Sequence, residues 1–238
     1  MIIDTHSHLN FKAFDKEREK IIQKCLDTNL VIINVGSNYK TSQKAVQIAR
    51  KGIYASIGLH PIHINKEIFD VKKYKKLAQS KYVIAVGETG FDFLKNQDIE
   101  KQKKVFFQHL ELAKELNLPL IVHCRKAHQE LLKVLPKAKG VIHCFTGSLS
   151  QAKEYLKKGL FIGFNGIIFK LDLDKIIKET PLERILVETD CPYLGDKEKN
   201  DPFFVKKVIQ KIAETKKLDF SLVEKQLFDN AKELFKIF

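Results

Sequence analysis

The 238 residues hold no apolar run near the roughly 20 that a membrane-spanning helix needs, so no helical membrane span and no membrane partner are expected. No basic segment followed by an apolar one opens the chain, so no secretory leader is expected, and the first strand is expected to begin at Met1. Cysteines are few (Cys25, Cys124, Cys144 and Cys191), and no two stand in a C-x-x-C spacing. That argues against a structural zinc knuckle or a disulfide framework and for a reducing, cytoplasmic setting. Cys124, Cys144 and Cys191 each follow a candidate ligand, His123, His143 or Asp190. Period-two alternation is expected to turn these thiols away from whatever the ligands face, as buried groups between strands and helices. Arginine is scarce: all but four of the 42 basic residues are lysine, spread along helical segments without a dense block. The net charge of +13 still favours a polyanionic partner, nucleic acid first, although such a surface also serves solvation. Linkers, repeats, low-complexity tracts and Gly-rich phosphate loops after the first strand are absent. One domain over 1–238 is therefore expected, a usual size for an α/β barrel.

What the chain does have is alternation. Short β-branched runs at 1–5, 31–35, 53–58, 82–87, 118–122, 140–143, 160–163 and 185–189 are separated by helix-like stretches. These stretches are 15–29, 41–51, 70–80, 98–117, 126–137, 148–158 and 172–179, with 202–216 and 222–236 after the last run. Ser221 and Glu224 have the spacing of a capping box for the final helix, and Asp201-Pro202 opens the one before it. Eight strands alternating with helices predict parallel pairing through right-handed crossovers, and the count favours a closed TIM-like (β/α)8 barrel over an open sheet.

The first strongly polar groups after these runs are metal-ligand residues. His6 and His8 end the first strand, where H-x-H places both imidazoles on one face. His60 ends the third, Glu88 the fourth, His123 the fifth, His143 the sixth and Asp190 the eighth. A barrel gathers all C-terminal strand ends on one face, so these residues are expected to converge there. Four histidines and two carboxylates (His6, His8, His123, His143, Glu88, Asp190) exceed one tetrahedral site and suit two divalent ions bridged by Glu88. Mixed nitrogen and oxygen donors accept Mg²⁺, Mn²⁺ or Zn²⁺. Such a pair acidifies a water and clamps the oxygens of a displacement, which is hydrolytic chemistry.

With these residues in place, the sequence resembles the TatD-type metal-dependent deoxyribonucleases of the metallo-dependent hydrolase superfamily. The matching stretches are DTHSHLN (4–10), IGLHP (57–61), AVGETGFDF (85–93), LPLIVHCRKA (118–127), HCFTGS (143–148) and ETDCPYL (188–194), nearly the whole chain in order. The resemblance implies a TIM-like barrel, two divalent metals and cleavage of phosphodiesters as a 3′–5′ exonuclease on DNA. It implies that His6, His8, Glu88 and Asp190 hold one metal and Glu88, His123 and His143 the other, with Asp190 taking the proton of the attacking water. Two places depart from the family's pattern. Phe93 stands where a tyrosine is usual, and residues 195–202 carry lysines and acids where arginines are usual, so no arginine grip on phosphate is expected there.

Other polar residues have open roles. Arg125 can clamp a phosphate or pair with Asp92 or Glu130, and His60 can hold the scissile phosphate or leaving group or a neighbouring side chain. Thr146 and Ser148 are candidate phosphate donors, and Ser148 equally a helix cap. His63, His109 and His128 are expected to be structural. Phe91, Phe93 and Tyr193 can stack on bases or pack in the core. Catalytic roles are expected of Asp190 and Glu88, and substrate binding of His60 and Arg125. DNA or another nucleic acid is the expected partner, with no obligate protein partner. A D-aminoacyl-tRNA deacylase on the same scaffold is the enzymatic alternative, and a non-catalytic nucleic-acid-binding scaffold is the third reading. The latter has no need of a convergent ligand set. Other amidohydrolase barrels place a modified lysine where Glu88 stands, which sets that subgroup apart.

Overall fold

Residues 1–195 and 199–237 are described by a computed structural model. Its β-branched runs form one eight-stranded parallel sheet in sequence order. The strands are β1 (Ile2–Ser7), β2 (Leu30–Val35), β3 (Ile53–Ile57), β4 (Val83–Asp92), β5 (Leu120–Arg125), β6 (Gly140–Ile142), β7 (Leu160–Phe164) and β8 (Ile185–Val187). Between them run α1 (Arg18–Asp27), α2 (Tyr39–Ile48), α3 (Val71–Leu77), α4 (Ile99–Leu116), α5 (His128–Val134), α6 (Leu149–Lys157) and α7 (Asp174–Glu179). Helices α8 (Val205–Lys216) and α9 (Phe220–Phe235) follow the last strand. This is the expected (β/α)8 barrel.

The β1–β8 seam has an isolated bridge, Ser7 to Cys191, in place of a full ladder. Polar groups complete it. The Asp190 N–H donates to His6 O at 2.8 Å and the His8 N–H to Cys191 O at 3.0 Å. The Thr5 hydroxyl donates to Val187 O at 2.9 Å. Buried Asp4 accepts the Thr189 N–H at 2.9 Å and the Thr189 hydroxyl at 2.6 Å.

Apolar residues divide into two layers. Ile3, Val31, Ile33, Ile121, Val141 and Leu186 fill the barrel, which Leu234 and Phe235 of α9 plug at one end. A larger cluster lies between strands and helices. Because Ile3 points into the barrel, strict alternation would send His6 outward with Asp4. The β1–β2 register slips between Asp4 and Ser7, and this bulge turns His6 and His8 inward. A second slip, between Val86 and Thr89 against β5, falls on Glu88. Gly87 and Gly90 flank it with φ of 150° and 136°. A Cβ on either would collide with the β5 backbone, at Ile121 O and His123 O, so only glycine lets β4 approach so closely.

Several expectations are corrected. β4 and β5 run on to Asp92 and Arg125, while β6 and β8 stop at Ile142 and Val187, which leaves His143 and Asp190 in the loops beyond. Ser221 and Glu224 form no capping box. Asp219, placed earlier, accepts the Ser221 and Leu222 N–H groups and starts α9 at Phe220, while Glu224 pairs with the Met1 ammonium at 3.4 Å. Asp201 does cap the turn Pro202–Phe204. Within 195–202, Asp196, Lys197 and Glu198 lie outside the described residues, and Lys199 pairs with Glu17. Among the described residues no helix is long and apolar enough to cross a membrane.

Candidate metal centre

The C-terminal strand ends close around a cavity of about 990 Å³ lined by His8, His60, Glu88, Asp92, His123, His143 and Asp190. His6 lies beneath, with its ring stacked on His143 at 3.6 Å between centroids. All the expected ligand residues therefore converge. His6 Nε2 is 3.2 Å from His8 Nε2, 3.4 Å from Glu88 Oε2 and 3.8 Å from Asp190 Oδ1. His8 Nε2 lies 3.2 Å from the same Asp190 oxygen. The other Glu88 oxygen meets His123 Nδ1 at 3.0 Å, His60 Nε2 at 3.3 Å and His143 Nε2 at 3.7 Å. Three sets of side chains bring one donor atom each within 4.8 Å of the others: His6–His8–Asp190, His6–Glu88–His143 and His60–Glu88–His123.

Surrounding acceptors orient the rings. His8 Nδ1 sits 2.8 Å from Val35 O, a pure acceptor, so Nδ1 carries the proton and Nε2 presents a lone pair. His123 stands between two carboxylates, with Nε2 3.2 Å from Asp92 Oδ2 and Nδ1 3.0 Å from Glu88 Oε1, and although burial lowers its pKa these two hydrogen bonds raise it above the usual value. His143 Nδ1 pairs with Glu188 Oε1 at 2.8 Å, which leaves Nε2 toward the cavity. His60 is the opposite case. Its Nδ1 accepts the Ile62 N–H at 3.1 Å, so the proton is on Nε2 and faces the cavity. His60 is thus a hydrogen-bond donor, His8 presents a lone pair, and His123 and His143 turn toward the carboxylates nitrogens whose protons a metal would displace. Imidazole nitrogens and carboxylates converging in this way fit divalent metal ions.

The electrostatics agree. Burial pushes the Glu88 carboxyl up, but the charges of His60 and His6 and the His123 hydrogen bond outweigh it and hold the group well below the usual carboxylate range. Asp190 is likewise held low: burial opposes ionisation, and the His8 hydrogen bond with the charges of His143 and His6 overcomes it. Burial lowers His143, but Glu188 more than reverses this and raises it to about 10. Burial holds His60 down at about 4.

Glu188 and Asp92 were not expected as positioning groups. Glu188 is fully buried and also accepts the Cys144 N–H at 2.7 Å and Asn165 Nδ2 at 3.1 Å. Its one signal is the i, i+2 spacing to Asp190, the spacing that joins His6 to His8. Arg125 lines the cavity without an ion pair among the described residues, because Asp92 is engaged by His123 and Glu130 by Lys103 and Lys133. Thr146 also lines the cavity, whereas Ser148 is spent capping α6 in a box with Gln151. His109 and His128 are structural, bonded to Val105 O and Tyr155 Oη, but half-buried His63 lines the cavity. Phe91 is fully buried and cannot stack on a base; Tyr193 is 54% exposed at the rim. Cys25 and Cys191 are buried away from the cavity, Cys124 is buried yet touches the cavity wall, and half-buried Cys144 lines the cavity because its φ of 46° breaks the alternation that would have hidden it.

The model of the TatD-related DNase family matches residues 3–236. The uncharacterized metal-dependent hydrolase YabD of Bacillus subtilis is 35% identical over the full length of both chains. The 3′-5′ ssDNA/RNA exonuclease TatD of Erwinia tasmaniensis is 32% identical over 99% of this chain and all of that one. The crystal structure of YjjV, a TatD homolog from Escherichia coli K12, superposes with a TM-score of 0.91 over 99% of this chain and 98% of its own, at 27% identity. With its barrel, its convergent donor set and these matches, the chain belongs to the TatD-related DNase family of metal-dependent hydrolases.

Proposed function

We propose that this chain is a nuclease that removes nucleotides from the 3′ end of single-stranded DNA, and that residues 1–238 act as one catalytic domain in the cytoplasm. The observation that carries the reading is the set of convergent histidines and ionised carboxylates on the floor of a cavity whose mouth is cationic. The exonuclease name of the Erwinia relative supports the substrate.

In this reading two divalent ions, Mg²⁺, Mn²⁺ or Zn²⁺, are held by His6, His8, Glu88 and Asp190 on one side and by Glu88, His123 and His143 on the other. When bound, such ions acidify a water and neutralise charge on a phosphoryl group. The protein's residues do the rest. Asp190, the more exposed of the two cavity-floor carboxylates, takes the proton of the attacking water. Glu88 is held ionised as the shared ligand. His60 donates its Nε2 proton to a phosphoryl oxygen, and the Arg125 guanidinium pairs with the same phosphate.

The test is release of nucleotides from 3′-labelled single-stranded DNA by protein stripped and reloaded with each metal. Glu88→Ala and Asp190→Ala should each lose activity by about 100-fold or more. The reading fails if wild type releases nothing with any metal, or if either variant matches it. D-aminoacyl-tRNA offered in parallel checks the other ester substrate.

A further inference from the structure

The cavity mouth carries Lys12, Lys66, Lys95 and Arg125. All four are exposed, and none is in an ion pair among the described residues. Elsewhere many cations are neutralised: Lys75, Lys103, Lys133, Lys157, Lys211 and Lys225 each pair with a carboxylate. Among the described residues the only acids lining the cavity, Glu88, Asp92 and Asp190, are engaged by histidines. Three of the four, all but Lys12, are also localised. Lys66 follows β3, Lys95 follows β4 and Arg125 ends β5, so the three stand in sequence on one arc of the barrel.

Their backbone is tied to the site. The Lys95 N–H donates to Asp92 Oδ1 at 2.8 Å, and the other oxygen of that carboxylate holds His123. The Lys66 N–H donates to His63 O at 2.8 Å, in the turn that follows His60. The opposite arc, over β8 and β1, is aromatic. Phe11 stacks on His8 at 4.2 Å, and Tyr193 meets the same ring edge-on at 6.4 Å. One side thus suits a phosphate backbone and the other suits base faces, which a single strand can present together and a duplex cannot.

We propose that Lys66 and Lys95 extend from Arg125 as a track for the phosphates that flank the scissile one in a single-stranded nucleic acid. The assignment rests on the nuclease reading. It makes the preferred substrate an oligonucleotide with at least two further phosphodiesters, recognised without regard to base sequence.

The test compares kcat/KM for a single-stranded 12-mer (chosen as about 12 nucleotides, long enough to cover such a track) with kcat/KM for bis(p-nitrophenyl) phosphate, on metal-loaded protein. In Lys66→Glu/Lys95→Glu the ratio of the two should fall at least about tenfold, and the log–log salt slope for the 12-mer should flatten by about 1.4. A control with the same charge change on distant helix ends, Lys178→Glu/Lys232→Glu, should keep the wild-type ratio to within about twofold. If wild type cleaves the 12-mer while the track variant keeps ratio and slope, or the control falls as far, the track is wrong and the nuclease reading stands. Wild type that cleaves no DNA overturns both.

Discussion

The burial of His109 gives this fold a share of its pH-dependent stability, and replacing the residue should remove that share. The side chain lies on α4 with no exposed surface, its ring stacked on Phe69 at 3.8 Å. Nδ1 donates to Val105 O at 2.8 Å, and Nε2 accepts the Leu59 N–H at 3.0 Å. A proton on Nε2 would break the second bond and strand a buried N–H next to His60. Burial accordingly lowers His109 from 6.5 to about 4. The folded pKa is depressed, so above pH 6.5 neither state is protonated and nothing is lost. As pH falls from 6.5 toward 4, the unfolded chain takes up a proton that the folded chain refuses, and stability drops. The full loss is about 3 kcal/mol, of which about 2 kcal/mol is reached at pH 5. His109→Gln keeps one donor and one acceptor but cannot titrate. It should be less stable than wild type at pH 7.5, and the gap should shrink by about 2 kcal/mol at pH 5. Urea unfolding in EDTA measures this by far-UV circular dichroism, since the chain has no tryptophan to report by fluorescence. His60 and His128 are also lowered to about 4, but they titrate in both proteins and cancel in the difference. An equal gap at the two pH values would refute the reasoning.

Four further outcomes are expected. Glu188→Gln, which removes the charge behind His143, should weaken Mn²⁺ uptake by about 10- to 100-fold in calorimetry while the far-UV spectrum is unchanged. Arg125→Ala should lower kcat/KM on single-stranded DNA by about 10- to 100-fold at full metal content; equal kcat/KM would remove Arg125 from the substrate site. Gly90→Ala, whose Cβ would meet His123 O at a φ of 136°, should destabilise the fold by about 1–3 kcal/mol in thermal unfolding. Asp219→Ala should cost about 1 kcal/mol and Ser221→Ala much less; the reverse order would restore the capping box to Ser221.

The barrel was legible in the sequence because each apolar run is short, β-branched and followed by a helix-length amphipathic stretch. The convergence of His60, Glu88, His123, His143 and Asp190 followed from that topology alone. What decides the face of His6 was not legible, because the bulge before Ser7 exists only in the pairing with β2. Nor were the roles of Asp92 and Glu188, since each depends on a side chain of another strand, His123 on β5 and His143 beyond β6. Cys144 was misplaced, and which of its two open roles Phe91 takes was not legible, for related reasons. The extension of β4 to Asp92 carries Phe91 into the core, and a left-handed residue after His143 defeats the alternation that would have buried the thiol.

The Asp4–Thr189 bonds across the seam have a consequence in time. They join residues 185 positions apart, and Asp190, which completes the group with His6 and His8, lies just beyond them. A ribosome adding about 5–20 residues per second exposes the histidine pair long before the aspartate. Until the aspartate emerges, the nascent chain carries only part of this donor group. The three side chains come together only when the segment after the eighth strand meets the first strand.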